Sequence, residues 1–324
     1  MGRENSTSVT KFILLGLSSN PEDQLILFGV FTAIYLVALM GNMLIVLLIR
    51  LDSRLHTPMY FFLGNLSMVD IGYTSSTVPK MLANYLSQDK SISWDSCLFQ
   101  TFFFISFGGI ECLLLGVMAY DRYVAICHPL HYDTFMSRRL CSLLASAAWA
   151  IGLANSAVHT SLISILSFCR DNILHHFFCD IPPLLQLSCS NTWVNQAVTF
   201  VLGGVLVWSL SCFVFIIVSY VQIFKTVLRI PSEQGRHKAF STCVPHLIVV
   251  SLFICTGIFA YLKPTSSSPP GLDLIVAVLY SVVPPVMNPI IYSMRNKEIK
   301  AALRKLIGWR LFTENEMSVF LPGP

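Results

Sequence analysis

The sequence predicts an all-α membrane protein: a bundle of seven transmembrane helices, followed by a short amphipathic helix. Apolar residues make up 54% of the chain and charged residues only 12%, whereas soluble domains usually carry about 25% charged residues. The mean hydropathy is +0.67. Seven apolar stretches reach the ~20 residues that a helix needs to cross a bilayer. They run approximately over 25–49, 58–80, 98–121, 141–163, 196–223, 239–262 and 272–293.

The second and seventh stretches are the least regular. The second is the least hydrophobic, because Asn65, Asp70 and a Thr/Ser cluster interrupt it. The seventh contains Pro284, Pro285 and Pro289. A proline in a helix removes a hydrogen bond and clashes with the preceding turn. We therefore expect a kinked or broken helix there.

The distribution of charge predicts an orientation in the plasma membrane. With the amino terminus outside, most of the 21 lysines and arginines fall on the cytoplasmic side, as membrane proteins prefer. The net charge of +4 then reflects a basic face beside membrane lipid, and no nucleic-acid partner is expected. Residues 1–24 form an extracellular tail without a cleavable signal peptide, 25–293 the bundle, and 294–324 a cytoplasmic tail. Within that tail, 295–309 alternates basic and apolar residues like a membrane-surface helix.

The ten cysteines divide by their side of the membrane. Outer positions lie in an oxidising compartment, and four cysteines there allow three pairings, between which spacing cannot choose. These four are Cys97, Cys169, Cys179 and Cys189. The other six should be free: Cys112, Cys127, Cys141, Cys212, Cys243 and Cys255. Asn5-Ser6-Thr7 is a glycosylation sequon on the outer tail.

Charged residues at the inner end of the third stretch and within the membrane are functional candidates. Asp121-Arg122-Tyr123 stands where the stretch meets a polar loop. Near the interface an arginine can extend toward water, so the pair is suited to contact a partner on that side. Asp70 and Glu111 lie deep in membrane segments, where ionisable residues are rare and usually functional.

Several strings form an ordered series along nearly the whole chain. They are Gly41-Asn42, L-H-T-P-M-Y-F-F-L-G-N-L-S (55–67), M-A-Y-D-R-Y-V-A-I-C-H-P-L-H-Y (118–132), H-F-F-C-D-I-P-P-L-L-Q-L-S-C-S (176–190), Ser219-Tyr220, K-A-F-S-T-C (238–243) and P-P-V-M-N-P-I-I-Y-S-M-R-N (284–296). In this order they resemble the strings of odorant receptors, a family of rhodopsin-like G-protein-coupled receptors. The strings at 176–190 and 238–243 resemble the tetrapod-type branch of that family.

The resemblance implies a receptor that binds a small volatile and activates a stimulatory, olfactory-type G protein to raise cAMP. It pairs Cys97 with Cys179 and Cys169 with Cys189. It also implies a central cluster of Asp70, Glu111 and Asn288, joined by Asn42 and Ser67, that can hold Na⁺ in the resting state. A hydrogen-bonded cluster with one acid protonated and no ion is the alternative. The residues implied in G-protein coupling and activation are Asp121, Arg122, Tyr123, Tyr220, His246, Asn288, Pro289 and Tyr292.

The sequence also departs from the family pattern. Phe253-Ile254-Cys255 stands where the family usually has Phe-Tyr-Gly, and Pro245 precedes His246. The region 235–238 carries no acid that could restrain Arg122, and Glu233 is expected in the loop. Three residues therefore stay as candidates for the partner that restrains Arg122 in the resting state: Asp121, Tyr220 and His246.

A ligand site is expected in the outer half of the bundle. No lysine lies within 272–293, which excludes an opsin-like Schiff base, and Phe104 stands where amine receptors carry an acid. The expected lining is apolar, with the Tyr261 hydroxyl as its main polar group, and suits a small neutral volatile. It consists of Phe104, Ile105, Gly108, Gly109, Cys112, Leu202, Val205, Leu206, Ile254, Gly257, Ile258, Tyr261, Val276 and Val278.

Other functions are less well supported by the sequence. No H-E-x-x-H, G-x-S-x-G or phosphate-loop motif occurs, so neither an enzyme nor a cofactor beyond Na⁺ is expected. A transporter or channel is the alternative class, but transporters often contain internal repeats and none is visible. A chemoreceptor of the same family acting outside olfaction is the closer alternative. His159 with Cys112 is a weak metal pair, and a structural histidine is favoured.

Overall fold

The computed structural model describes residues 10–168, 171–189, 192–229, 232–262 and 270–319. Over 192–196, 198–209 and 309–319, and at a few other positions, it describes the backbone alone. The long helices are α1 (Pro21–Leu51), α2 (Pro58–Leu86), α3 (Trp94–Cys127), α5 (Arg138–Ser164), α7 (Thr192–Leu228), α8 (Glu233–Leu262) and α11 (Lys297–Val319). The shorter ones are α4 (Tyr132–Phe135), α6 (Ile181–Leu187), α9 (Pro270–Ser281) and α10 (Val283–Arg295).

The helices begin where the sequence offers a cap or a proline. The side chain of Asn20 accepts a hydrogen bond from the N–H of Glu22, and Pro21 occupies the first turn of α1. Ser93 caps α3, and Ser137 caps α5 in the same way. Such side chains satisfy backbone donors that the first turn of a helix leaves unpaired. Local sequence therefore determines these boundaries.

Length and hydropathy identify membrane-spanning helices. Within the described residues, five are long and apolar enough to cross a bilayer: Pro21–Leu51, Trp94–Cys127, Arg138–Ser164, Leu210–Leu228 and Gly271–Tyr292. α8 contributes a shorter apolar stretch, His246–Tyr261. α2 does not reach this hydropathy, in keeping with its polar interruptions. The molecule is an all-helical membrane bundle with only short strands.

The seventh apolar stretch is broken, which confirms the expectation from its prolines. α9 ends at Ser281 and α10 begins at Val283, so that Pro284 and Pro285 occupy the first turn of α10. Proline is tolerated in a first turn because its missing N–H would be unpaired there anyway. The break places Asn288 and Tyr292 on a helix separate from Tyr280.

α3 lies at the centre of the bundle and packs against α2, α5 and α7. Its contact with α5 requires a glycine, because a Cβ atom on Gly152 would overlap the side chain of Ile110. Gly109 lies on the same side of α3, and a Cβ atom there would be 3.7 Å from the Cα atom of Gly152. This crossing depends on the absence of side chains, as in other close helix contacts in membranes.

A small sheet, not predicted from the sequence, closes one end of the bundle. β1 (Lys11–Leu14) pairs antiparallel with β2 (Ser91–Ser93) and parallel with β3 (Ile173–Leu174). Phe12 and Leu14 are fully buried. Part of the expected tail is therefore a structural strand. Strand pairing between distant segments is set by tertiary contacts, and three or four residues give little alternation to detect.

Candidate functional site

The loop between α5 and α7 is tied to the top of α3 by a disulfide. Cys97 and Cys179 are bonded, with 5.5 Å between their Cα atoms, which confirms the expected pair. Cys189 is also disulfide-bonded, whereas its expected partner Cys169, like the sequon residue Asn5, lies outside the described residues. The six cysteines expected to be free are free. We call this end of the molecule the disulfide end and the opposite end, at the close of α3, the Arg122 end.

Hydrogen bonds hold the backbone of this loop against α3. The side-chain carbonyl of Gln100 accepts from the N–H of Cys179 at 2.9 Å, and its amide donates to the carbonyl of Ser76 on α2 at 2.9 Å. The hydroxyl of Thr101 donates to the carbonyl of Cys179 at 3.1 Å. The loop is thus a fixed cover over the bundle.

Asp180 joins this cover to α8 and α9. Its carboxylate accepts hydrogen bonds from the hydroxyls of Tyr261 at 2.8 Å and Tyr280 at 2.5 Å, and from the N–H of Ile181 at 2.8 Å. The residue is only 1% exposed. Tyr261, expected as a polar contact for ligand, is therefore engaged with Asp180. Neither Asp180 nor Tyr280 was expected at a site from the sequence, although an acid beside a loop cysteine was an available signal.

His176 lies in the same cover and is buried between aromatic rings. Its Nδ1 atom lies 3.0 Å from the carbonyl of Phe178, and its ring stacks on Phe177. Burial lowers the pKa of His176, because the charged imidazolium is poorly solvated there. The histidine is therefore a neutral packing element of the cover at physiological pH.

Beneath the cover, Phe104 is the centre of an aromatic cluster. Its ring stacks on Tyr73 at 4.9 Å between centroids and contacts Phe178 at 4.6 Å. A Cβ atom on Gly108 would meet the Tyr73 ring at 3.5 Å, an ordinary contact. Ile105 is half-buried beside Phe104. The third helix thus presents an apolar surface just below the loop.

The other expected lining residues fall into three groups. Ile254 and Val276 are buried, while Ile258 and Val278 are half-buried. A Cβ atom on Gly257 would meet no described atom within 4 Å, so open space lies beside α8 there. The side chains of Leu202, Val205 and Leu206 lie outside the described residues.

Two expected lining residues of α3 face neighbouring helices. Gly109 lies against Gly152 of α5, as described above. Cys112 is buried, with its thiol within hydrogen-bond reach of the Cys212 thiol on α7. Both positions therefore contribute to helix packing in this structure.

Two buried carboxylates meet at the centre of the bundle. The amide nitrogen of Asn288 donates to both carboxylate oxygens of Asp70, at 3.1 and 3.0 Å, and lies 3.5 Å from Oε1 of Glu111. Oε2 of Glu111 and Oδ1 of Asn288 are buried without a hydrogen-bond partner among the described residues. The structure thus brings Asp70, Glu111 and Asn288 into contact.

Asn42 and Ser67, the other two residues expected in this cluster, form no hydrogen bond to its acids in the described contacts. The amide of Asn42 donates to the carbonyls of Ala38 and Pro285, each at 3.0 Å. Asn42 thus links α1 to the first turn of α10. Ser67 is buried on α2.

Arg122 lies buried at the opposite end, 7% exposed, with its Nε atom lacking a partner among the described residues. Asp121 accepts a hydrogen bond from the Tyr132 hydroxyl at 2.7 Å. The Tyr220 hydroxyl and Nδ1 of His246 lie 2.8 Å apart. The candidates for restraining Arg122 are therefore engaged with other residues.

The residues around Arg122 come from several helices. The hydroxyl of Tyr292 and Nε2 of His246 are buried without a partner in the described part of the chain. The rings of these two residues lie 6.5 Å apart. Tyr123 points to the adjacent loop, with its hydroxyl 3.1 Å from Nε2 of His128. Glu233, expected in the loop, instead begins α8, so the helix starts earlier than its sequence indicated.

His159 is buried on α5, and its Nε2 atom has no partner among the described residues. No group of three or more His, Cys, Asp or Glu side chains with metal-binding geometry occurs among the residues described.

Pro289 lies inside α10, where its ring would be 3.0 Å from a Cβ atom on Gly41 of α1. Close packing of α1 on α10 thus depends on glycine at that position.

The fold and these polar clusters define a helical membrane protein with a disulfide-tied cover at one end, a buried acid pair at its centre and a buried arginine at the opposite end. The olfactory receptor family model matches residues 31–309. Olfactory receptor 1G1 of Gorilla gorilla gorilla is 52% identical over 95% of this chain and 97% of its own length. Olfactory receptor 5B12 of Homo sapiens is 50% identical over 94% of this chain and 96% of its own length. Olfactory receptor 1J21 of Mus musculus is 52% identical over 96% of this chain and 99% of its own length.

The chain belongs to the olfactory receptor family. It is an odorant-sensing G-protein-coupled receptor and not an enzyme, and it is a multi-pass protein of the plasma membrane. Its partners are an odorant and a G protein.

Proposed function

We propose that this receptor detects a small, neutral, mostly apolar volatile beneath the Asp180 cover and activates a stimulatory, olfactory-type G protein that raises cAMP. The observation that carries this proposal is the apolar cluster beneath the cover, where the ring of Phe104 contacts Tyr73, Phe178 and Tyr280. On α8, Ile254 is buried, and a Cβ atom on Gly257 would meet no described atom within 4 Å. A charged ligand is disfavoured because a buried charge needs a partner. The carboxylate of Asp180 already accepts two tyrosine hydroxyl bonds.

The size of the ligand can be tested at Gly257. We expect Gly257→Leu to weaken responses to bulky volatiles more than to small ones, because added methylenes in a filled site cost about 1–3 kcal/mol. Cells expressing the receptor at the surface would be screened with a homologous series of volatiles, and cAMP measured. Gly29→Leu is the matched control, since Gly29 is exposed on α1 with open space beside it. Equal loss for every agonist would contradict a steric role for Gly257.

The residues proposed to line the pocket are those expected from the sequence. Their positions in the structure distinguish residues that would contact the ligand from residues that would act through helix packing. Phe104, Ile105, Gly108, Ile254, Gly257 and Ile258 would contact the volatile, and so would Val276, Val278, Leu202, Val205 and Leu206. Gly109 and Cys112 would act indirectly through helix packing. Tyr261 would sense an oxygen-bearing ligand by exchanging its bond to Asp180. Tyr261→Phe should then weaken oxygenated agonists while sparing hydrocarbons, measured as half-maximal cAMP concentrations.

We place seven spans within residues 25–293, with the disulfide end outside. Residues 1–24 would be extracellular, and 294–324, with the amphipathic part of α11, cytoplasmic. Support comes from disulfide formation in oxidising compartments and from the basic residues concentrated at the Arg122 end. Removal of N-linked glycan should shift the mobility of the wild-type chain but not of Asn5→Gln. A protease-protected amino terminus in intact cells would reverse this orientation.

Arg122 is the proposed contact for the G protein. Because its Nε atom has no partner among the described residues, a docking protein that supplies an acceptor would satisfy a buried donor. Asp121, Tyr123, Tyr220 and His246 would shape this contact. On α10, Asn288, Pro289 and Tyr292 would rearrange with it, since a proline-loosened helix can move.

The acid pair at the centre of the bundle would hold either a Na⁺ ion or a shared proton. The residues fit a hard cation, since carboxylate and amide oxygens are its preferred ligands and two such oxygens lack hydrogen bonds. Bound Na⁺ would supply a positive charge beside the two buried carboxylates, and a buried charge needs such a partner. Replacing Na⁺ with choline should raise basal cAMP in the wild type and have no effect in Asp70→Asn. Equal basal activity in both salts would favour the proton.

A further inference from the structure

A groove runs down the outer face of the bundle between α2 and α3, near the disulfide end. Its volume is about 720 Å³, within the ~300–1,000 Å³ range of small-molecule sites. It is distinct from the proposed odorant pocket. Gly72 and Phe107 line the groove, whereas their neighbours Tyr73 and Phe104 are buried inside the bundle. The two sites share only the wall formed by α2 and α3. We call this feature the α2–α3 groove.

One wall of the α2–α3 groove is a row of aromatic rings. Phe99, Phe103 and Phe107 are spaced four residues apart on one face of α3. Their centroids are separated by 4.6 Å and 5.8 Å, and the ring of Phe99 is 67% exposed. Gly72 on α2 is essential to this geometry, because a Cβ atom there would overlap the ring of Phe107. The row offers a continuous apolar track along the helix.

The mouth of the groove is polar and carries one cation. The ammonium group of Lys80 donates to the carbonyl of Ser91 at 2.8 Å. An ammonium has three donors, and Lys80 forms no ion pair within the described part of the chain. Ser93 and Ser96 also line the mouth. The site is therefore amphipathic, with donors at its opening and rings at its depth.

The charges near the mouth favour an anion. Asp89, outside the lining, has its carboxylate engaged by the N–H of Ser91 at 2.9 Å. Hydrogen bonds from Ser91 lower the pKa of Asp89, and Lys11 and Lys80 lower it further. Asp95, in the first turn of α3, is the other nearby acid, and neither it nor Asp89 lines the groove. Lys80 is therefore the charged side chain of the lining. Lys80 lines the groove together with Phe99, Phe103 and Phe107, whereas Lys11 does not.

We infer that the α2–α3 groove binds a medium-chain fatty-acid anion. Its carboxylate would lie on Lys80 and its alkyl chain along Phe99, Phe103 and Phe107. Phe107 lies eight positions after Phe99, which at about 1.5 Å per residue is a track of roughly 12 Å. An extended decanoate chain is of similar length. A single row of rings suits one chain and not the paired chains of a phospholipid. This site does not depend on the proposed odorant or G protein.

The test uses photolabelling of the purified full-length receptor in phosphatidylcholine nanodiscs. A decanoate analogue with a diazirine in its chain is the probe, and mass spectrometry maps the labelled peptides. We expect saturable labelling within 72–80 and 99–107, competed by decanoate, less by decanol and not by decyltrimethylammonium. Lys80→Gln should raise the half-saturating concentration roughly fivefold, the scale of a partly exposed ion pair. Lys80→Arg should retain binding.

Two matched controls separate the site from general effects. Lys90→Gln removes a nearby lysine that does not line the groove, and should leave labelling unchanged. Phe103→Ala should reduce labelling, whereas Phe61→Ala, at the other end of α2, should not. Because Lys80→Arg and Lys90→Gln keep the fold under the same conditions, a loss with Lys80→Gln alone reports the missing charge.

Three outcomes would overturn the inference. Equal competition by decanoate, decanol and decyltrimethylammonium would show only an apolar surface. Labelling that is unaffected by Lys80→Gln would remove the role of the cation. Loss of labelling in nanodiscs containing phosphatidylglycerol would assign the groove to an anionic phospholipid. None of these readouts involves cAMP, so they stand apart from the proposed signalling function.

Discussion

At the disulfide end, the buried carboxylate of Asp180 accepts hydrogen bonds from two tyrosine hydroxyls and a backbone N–H. At the Arg122 end, Nε of Arg122, Nε2 of His246 and the hydroxyl of Tyr292 are buried without partners among the described residues. An unpaired buried polar group costs about 1–3 kcal/mol. The Asp180 network is therefore satisfied by the protein's own groups, while the Arg122 end has buried donors and acceptors that a partner can satisfy.

This difference indicates that the two ends serve different purposes. A satisfied polar network makes a region rigid and costly to disrupt. A buried polar group without a hydrogen-bond partner raises the free energy of the protein, and a new partner that pairs with it lowers that free energy. We therefore expect substitutions at the disulfide end to lower the free energy of unfolding, and substitutions at the Arg122 end to remove signalling with little loss of stability. The following predictions are ranked by their expected effect on stability.

Cys179→Ser should have the largest effect. The disulfide closes 82 residues of sequence, and losing such a link costs about 4 kcal/mol in the chain-entropy model. We expect little receptor at the cell surface, measured by labelling an epitope at the amino terminus. Cys255→Ser is the control, because Cys255 is free and exposed. Normal surface delivery of Cys179→Ser would mean that hydrogen bonds alone hold the loop.

Asp180→Ala should have the second largest effect and lower the free energy of unfolding by about 3 kcal/mol, because it leaves two buried tyrosine hydroxyls without an acceptor. The loss would be measured as the thermal stability of purified receptor in detergent. Asp180→Asn should cost less, since the amide oxygen still accepts. Asp89→Ala, at an exposed carboxylate, is the matched control. If alanine and asparagine at 180 prove equally stable, the tyrosine bonds do not secure the cover.

Tyr261→Phe should cost about 1 kcal/mol, the usual net value of one hydrogen bond. The effect is smaller because Tyr280 continues to donate to Asp180. The double variant with Tyr280→Phe should lose more than the sum of the two single changes, since the carboxylate then has no side-chain donor. The thermal stabilities of the wild type, the two single variants and the double variant together form a double-mutant cycle. Strict additivity would show that the two tyrosines act independently.

Arg122→Ala should change stability least, by less than about 1 kcal/mol, because it removes a buried donor that lacks a partner. At the same time the cAMP response to odorant should be lost, while surface labelling persists. Arg138→Ala removes an exposed arginine from the start of α5 and should signal normally. Retained signalling in Arg122→Ala would refute its proposed contact with the G protein. A large loss of stability would instead refute the contrast between the two ends.

Much of the fold followed from local sequence. The helix boundaries lie up to six residues beyond the apolar stretches, as at the ends of α2 and α3 and the start of α8. The break before Pro284 was expected from proline geometry. The contact between Asp70, Glu111 and Asn288 was also expected, though from family resemblance. The strand β1 was not foreseen, because a four-residue strand in a polar segment has no periodicity to detect. Glu233 was placed in a loop, since a polar first turn resembles a linker.

The sequence by itself indicated which segments are apolar enough to cross a membrane and that Asp70 and Glu111 lie within them, because hydropathy and helix length are properties of contiguous residues. Only the tertiary structure decided which polar atoms are satisfied. Asp180 and Tyr261 are 81 residues apart, and Asp70 and Asn288 are 218 apart. Whether such groups meet depends on the rotation and crossing of whole helices. The same packing turns Gly109 toward α5 and opens the α2–α3 groove beside Lys80, and neither can be read from spacing along the chain.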